Sequence, residues 1–221
     1  MKSHHRGVVW SIVVVCLIFG IVGCKRRQQN SPTENESAVS QFTFGVAPFT
    51  VATSNEDLLA GTMPSQIFPV DPKLLPQLDD AMQTRMAATK KHTISELTMV
   101  KCLAATPAPT TRLKQALRDY YAHVGQCASV DYVIVPQILS ARERVGSPIG
   151  ASVPAYIALN MYVVDVNTGD LVKYVHFEEE QQALADDILK AGAFFERGGK
   201  WLTASELASF GIQKGLKELG L

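Results

Sequence analysis

The run Tyr156-Ile157-Ala158-Leu159-Asn160-Met161-Tyr162-Val163-Val164 constrains the fold more than any other stretch of the 221 residues. It is nearly continuous in apolar, β-branched and aromatic residues, the composition of a strand. Asn167-Thr168-Gly169-Asp170 follows it with the residue types of a tight turn, and residues 171–177 return as an antiparallel partner. Upstream, residues 130–139 contain Asp131-Tyr132-Val133-Ile134-Val135, dense in strand formers. These three strands predict an antiparallel meander at the centre of a sheet, its first two members joined by a flexible exposed loop over residues 146–153.

Before the meander the pattern alternates between the two periods. Residues 42–51 read as a strand that Pro48 must end, bulge or hold at an edge, since proline has no amide proton for a ladder. Residues 58–61 read as a helical turn. Asp71-Pro72 opens a helix, with Asp71 as N-cap and Leu74, Leu75, Leu78, Met82 and Met86 at three-to-four spacing. Residues 92–103 read as a strand, and residues 110–126 as a helix carrying Leu113, Leu117, Tyr120, Tyr121 and Val124. Strand, helix, strand, helix predicts parallel pairing through crossovers.

After the meander, Glu178-Glu179-Glu180 reads as the first turn of a helix reaching residue 190, where carboxylates favour the positive end. Residues 191–199 follow as a loop, and Trp201 packs back on the core. Thr203 and Glu206 have the spacing of a capping box for a last helix. The fold class is therefore α/β (α+β): a mixed sheet in the order β-α-β-α-β-β-β-α, with helices packed on it.

The amino-terminal end carries a different signal. Lys2 and Arg6 precede an apolar run over residues 8–22, interrupted only by Ser11 and Gly20, and Ile21-Val22-Gly23-Cys24 closes it. This resembles the bacterial lipoprotein box. The resemblance implies that the Cys24 thiol receives a diacylglyceryl group, that residues 1–23 are removed as a signal peptide, and that the new amino terminus is acylated, so several chains hold the protein at a membrane. Lys25 is not the Asp that retains enterobacterial lipoproteins at the inner membrane, which favours the outer one, facing the periplasm. Lys25-Arg26-Arg27 resist translocation and leave an uncleaved span as the alternative, although residues 7–23 fall short of the ~20 apolar residues a span needs. Residues 24–41 are polar and read as a flexible tether, and residues 42–221 as one domain.

Charge narrows the partners. Of 21 basic and 21 acidic residues, residues 1–23 hold Lys2 and Arg6 and no acid, so 19 and 21 remain. Such a chain is not a general nucleic-acid binder, and the local basic cluster suits anionic headgroups beside the lipid. In an exported chain Cys102 and Cys127 are a candidate disulfide, the alternative being two buried thiols.

Catalytic patterns are missing. His92, His123 and His176 are the histidines beyond residue 23, none at helical metal-ligand spacing, and there is neither a nucleophile elbow nor a phosphate loop. No metal and no cofactor is expected. Arg197-Gly198-Gly199-Lys200 reads as a turn. The candidate partner-binding surface is Arg142-Glu143-Arg144 with the loop over residues 146–152, mixed charge followed by Gly and Pro. The rival readings are a cell-wall enzyme using acids such as Glu143 and Asp165, and a small-ligand sensor.

The element order, with Val46-Ala47-Pro48-Phe49, Asp131-Tyr132-Val133-Ile134-Val135 and Val164-Asp165-Val166-Asn167-Thr168-Gly169-Asp170-Leu171, resembles a group of envelope lipoprotein domains. The group includes the amino-terminal domain of TolB, the curli secretion channel lipoprotein and the penicillin-binding-protein activator lipoproteins. Leu58-Leu59-Ala60-Gly61, Val135-Pro136-Gln137, Arg142-Glu143-Arg144 and Phe195-Glu196-Arg197-Gly198-Gly199-Lys200-Trp201 are similar to uncharacterised lipoproteins of sulfate-reducing bacteria. The first resemblance implies mainly a fold and the second a fold and a location; together with the membrane anchor and the Arg142-Glu143-Arg144 surface they fit a non-catalytic scaffold or regulator of an envelope assembly, in secretion or cell-wall synthesis, working through envelope proteins. They leave homo-oligomerisation open.

Overall fold

Pro48 splits the first strand. In the computed structural model, which describes residues 42–181 and 199–221, β1 (Thr43–Val46) and β2 (Thr50–Val51) both pair in parallel with β4 (Tyr132–Arg142). Across the break the Ala47 amide still donates to the Ile134 carbonyl at 2.9 Å. The expected helical turn at residues 58–61 is instead a 3-10 turn at Asn55–Asp57, followed by Leu58 and Leu59, both fully buried.

Helix α1 (Leu74–Ala88) begins just after the Asp71 turn. The Asp71 carboxylate accepts from the Lys73 amide at 2.9 Å, and its carbonyl accepts from Leu74. Leu74, Leu78, Met82 and Met86 form its buried stripe. The strand expected over residues 92–103 is only β3 (His92–Thr93), parallel to β1, and the remainder is helix α2 (Glu96–Ala105). Ser95 decides this: its hydroxyl accepts from the Thr98 amide as an N-cap. Met99 and Cys102 then bury one turn apart while Leu97 and Val100 stay exposed, so the apolar density belongs to two helical faces. Helix α3 (Lys114–Ala128) buries Tyr121 and Val124, whereas Leu113 stands at its N-cap, exposed.

The meander is β4, β7 (Tyr156–Asp165) and β8 (Leu171–Glu180), antiparallel throughout. The order β3-β1-β4-β7-β8 leaves β4 and β7 inside the sheet and, among the described residues, β8 at its edge instead of its centre. Strand β8 runs through the acidic triplet, with Glu178 opposite Ala158 and Glu180 opposite Tyr156, so these carboxylates do not open a helix. The helix expected over residues 182–190 lies outside the described residues. The loop expected over residues 146–153 is a small hairpin, β5 (Val145–Ser147) with β6 (Gly150–Val153).

Helices cover both faces. One core lies between the sheet and α1 with α4 (Ala204–Leu219); a second lies under α2 and α3. Thr203 caps α4, its hydroxyl accepting from the Glu206 amide while the Glu206 carboxylate accepts from the Thr203 amide at 2.8 Å.

Candidate functional site

Two groups of side chains stand out. The first is at the far end of β4. The Arg142 guanidinium pairs with the Glu180 carboxylate, donates to the Pro154 carbonyl at 3.2 Å and lies over the Phe68 ring, 4.4 Å from its centre. The Glu143 carboxylate accepts from the Arg144 amide at 3.0 Å and from the Ala204 amide at 3.0 Å. Arg144 donates to the Trp201 carbonyl. All three side chains thus bind within the domain, joining β4 to β8 and to the start of α4. What projects beyond them is the β5–β6 hairpin. Ile149 at its turn is 95% exposed, and the Trp201 amide donates to the Pro148 carbonyl at 2.9 Å, tying the turn down.

The second group sits on the sheet face near the Leu58-Leu59 segment. Gln137, Asn160 and His176 lie in one cross-strand row, as do Tyr162 and Tyr174. Tyr162 is fully buried and donates to the Ala60 carbonyl at 3.0 Å. A carbonyl only accepts, so this uses the single phenolic proton, and the Tyr162 oxygen accepts from Asn160 Nδ2 at 2.7 Å. Asn160 Oδ1 therefore faces the Tyr174 hydroxyl at 3.3 Å and His176 Nδ1 at 2.8 Å, and both must donate to it. His176 Nε2 stands 3.2 Å from Glu178 Oε2, and Glu178 Oε1 accepts from the Tyr156 hydroxyl at 2.7 Å. Desolvation, then the Glu178 carboxylate, pushes the Tyr156 phenol well up from its ordinary value, burial does the same for Tyr162, and burial also raises Tyr174, so these hydroxyls remain donors. Gln137 gives its Nε2 to the Asp57 carbonyl, while its Oε1 is buried without a partner.

Other residues singled out in the sequence fall elsewhere. Cys24 lies outside the described residues. Cys102 and Cys127 are bridged, tying α2 to α3. Glu143 follows the last residue of β4, whereas Asp165 pairs with the first, Tyr132, so a strand of roughly 30 Å separates them. Glycoside cleavage needs carboxyls within ~10 Å, and Asp165 instead shapes the turn by accepting from the Asn167 and Thr168 amides. Two hollows lie among the described residues. One of about 160 Å³ is lined by Phe42, Phe44, Tyr132 and Leu219 and holds no acidic side chain. The other, of about 270 Å³, includes Asp71 and Glu143, both committed to backbone amides.

No family model and no curated protein matches the chain. Among solved structures it is similar to the carboxy-terminal domain of LpoB from Salmonella enterica, at 12% identity and a TM-score of 0.40 over 65% of this chain and 85% of that one. It is also similar to lipoprotein GNA1162 from Neisseria meningitidis, at 9% identity and 0.42 over 70% and 91%. A PelC dodecamer structure from Paraburkholderia phytofirmans gives 11% identity and 0.42 over 78% and 82%. Likeness at this level carries neither family nor activity to this chain.

Proposed function

We propose that the protein is a bacterial envelope lipoprotein, held at a membrane through lipid on Cys24, whose domain from residue 42 onward acts as a non-catalytic scaffold or regulator through protein contacts. The observation that carries this reading is Ile21-Val22-Gly23-Cys24 placed directly after an apolar run and before a polar stretch. The contact element is the β5–β6 hairpin, with Arg142, Glu143 and Arg144 as the brace that fixes its base. A tip that offers Ile149 to solvent while its backbone is pinned by Trp201 has little ordering entropy left to lose on binding.

Metabolic labelling with a lipid precursor tests the anchor: wild type takes the label and Cys24→Ala does not. An unlabelled wild type refutes it. Photo-crosslinking from position 149 in intact cells tests the contact, and an envelope protein captured from there but not from exposed Leu113 is the expected result.

A further inference from the structure

We propose that His176 and Glu178 form a binding site for one zinc-like divalent cation. Alternation along β8 puts both side chains on the same side of the strand, on the face that carries Tyr156 and Asn160. Their facing atoms, Nε2 and Oε2, are 3.2 Å apart. A tetrahedral zinc ion with ligands at ~2.0–2.1 Å separates neighbouring ligand atoms by about 3.3 Å, so the pair already spans one edge of such a site.

The surrounding bonds are those a metal site requires. The relay from the Ala60 carbonyl through Tyr162 and Asn160 assigns the ring proton to Nδ1. The lone pair of Nε2 is thereby aimed at a carboxylate oxygen, and only a cation, a proton or a metal ion, can stand between them favourably. A ligating histidine whose other nitrogen donates to a fixed oxygen, beside a ligating carboxylate that is itself hydrogen-bonded, is the usual outer-shell arrangement. Here Asn160 and Tyr156 supply it. The two side chains are 33% and 35% exposed, so an ion can enter from solvent. Among the described residues no third His, Cys, Asp or Glu side chain joins them, which leaves the other coordination positions to water or to a donor on a bound molecule.

The test is calorimetric titration of the untagged full chain in detergent with Zn²⁺, with tetrahedral Co²⁺ absorption as a second readout. Wild type should bind one ion more per chain than His176→Ala, and Glu178→Gln, which preserves the shape of the acid, should weaken that site by more than about tenfold. Zinc held by any other histidine of the chain would appear equally in all three proteins. Equal stoichiometry and affinity in wild type and His176→Ala would overturn the proposal. So would a Glu178→Gln protein, folded by circular dichroism, that binds as wild type does.

Discussion

The Glu143 carboxylate reaches the backbone amide of Ala204, the first residue of α4 and 61 positions further along the chain, at 3.0 Å. That amide is one of the donors a helix start leaves without an intrahelical acceptor, and the positive end of the helix adds to the attraction. Thr203 serves a different donor, the Glu206 amide, so the two contributions are separate. Glu143→Ala should lower unfolding stability by about 1 kcal/mol, and Glu143→Gln by less. Denaturant midpoints measure both, and an unmoved midpoint in the alanine variant would remove this role.

Tyr162→Phe deletes one oxygen and strands two partners, Asn160 Nδ2 and the Ala60 carbonyl, in a fully buried position. Leaving buried polar groups unpaired costs ~1–3 kcal/mol, more than the bond itself contributes net. The variant should therefore lose roughly that amount. It should also free the Asn160 amide to turn, which a double-mutant cycle with His176→Ala would register as coupling.

Reducing the Cys102–Cys127 bridge opens a loop with a sequence separation of 25. The chain-entropy account assigns about 3 kcal/mol to a loop of this size. Adding reductant, or replacing both cysteines with serine, should lower the thermal midpoint by the same amount. A midpoint that falls for only one of the two treatments would mean that the substitutions act through packing.

Most of the fold was legible because its elements carry one period each. Residues 156–164 and the Asn167-to-Asp170 turn specify a hairpin, and the Leu74 to Met86 stripe specifies a helix, whatever surrounds them. The failures share a cause. Residues 92–103 mix the outward Leu97 and Val100 with the inward Met99 and Cys102, so hydrophobic density looked strand-like until Ser95 supplied the cap. The acidic triplet looked like a helix start because local charge preference cannot see that β7 offers a ladder and that Tyr156 and Arg142 wait for the carboxylates. That error also concealed the second site: His176 and Glu178 are neighbours only at the strand period of two, and Asn160 and Ala60 reach them through the fold. Arg142, Glu143 and Arg144 read as a solvent-facing cluster because their partners, residues 180, 201 and 204, are distant in sequence.

The Glu206 carboxyl is held below its ordinary value, first by the Lys200 ammonium that donates to it at 2.7 Å and next by the Thr203 amide. A folded value below the unfolded one favours the ionised, folded state. That stability is complete above the ordinary carboxylate range, near 4.5, and is lost as pH falls through the lowered value. Glu206→Gln should therefore be less stable than wild type near neutrality. The two midpoints should converge as pH is lowered below about 4; a gap that stays constant with pH would exclude an ionic contribution.

Helix α4 lies close on β7 and β8 at two glycines one turn apart, and the two should respond differently to the same substitution. A Cβ on Gly211 would stand 2.4 Å from the Phe177 ring, and one on Gly215 would stand 1.8 Å from the Met161 methyl. The Gly215 contact is the shorter, yet its obstacle is the end of an unbranched side chain that can rotate away. Phe177 is a buried, rigid ring in the core beneath the helix, so relief at Gly211 requires moving the ring or lifting α4. Alanine in a helix interior gains about 1 kcal/mol over glycine, while overpacking costs ~1–3 kcal/mol. Gly215→Ala should thus come out near neutral and Gly211→Ala clearly destabilising. Equal losses would mean that α4 yields as a rigid body at both points, and a larger loss at Gly215 would mean that Met161 has no free rotamer.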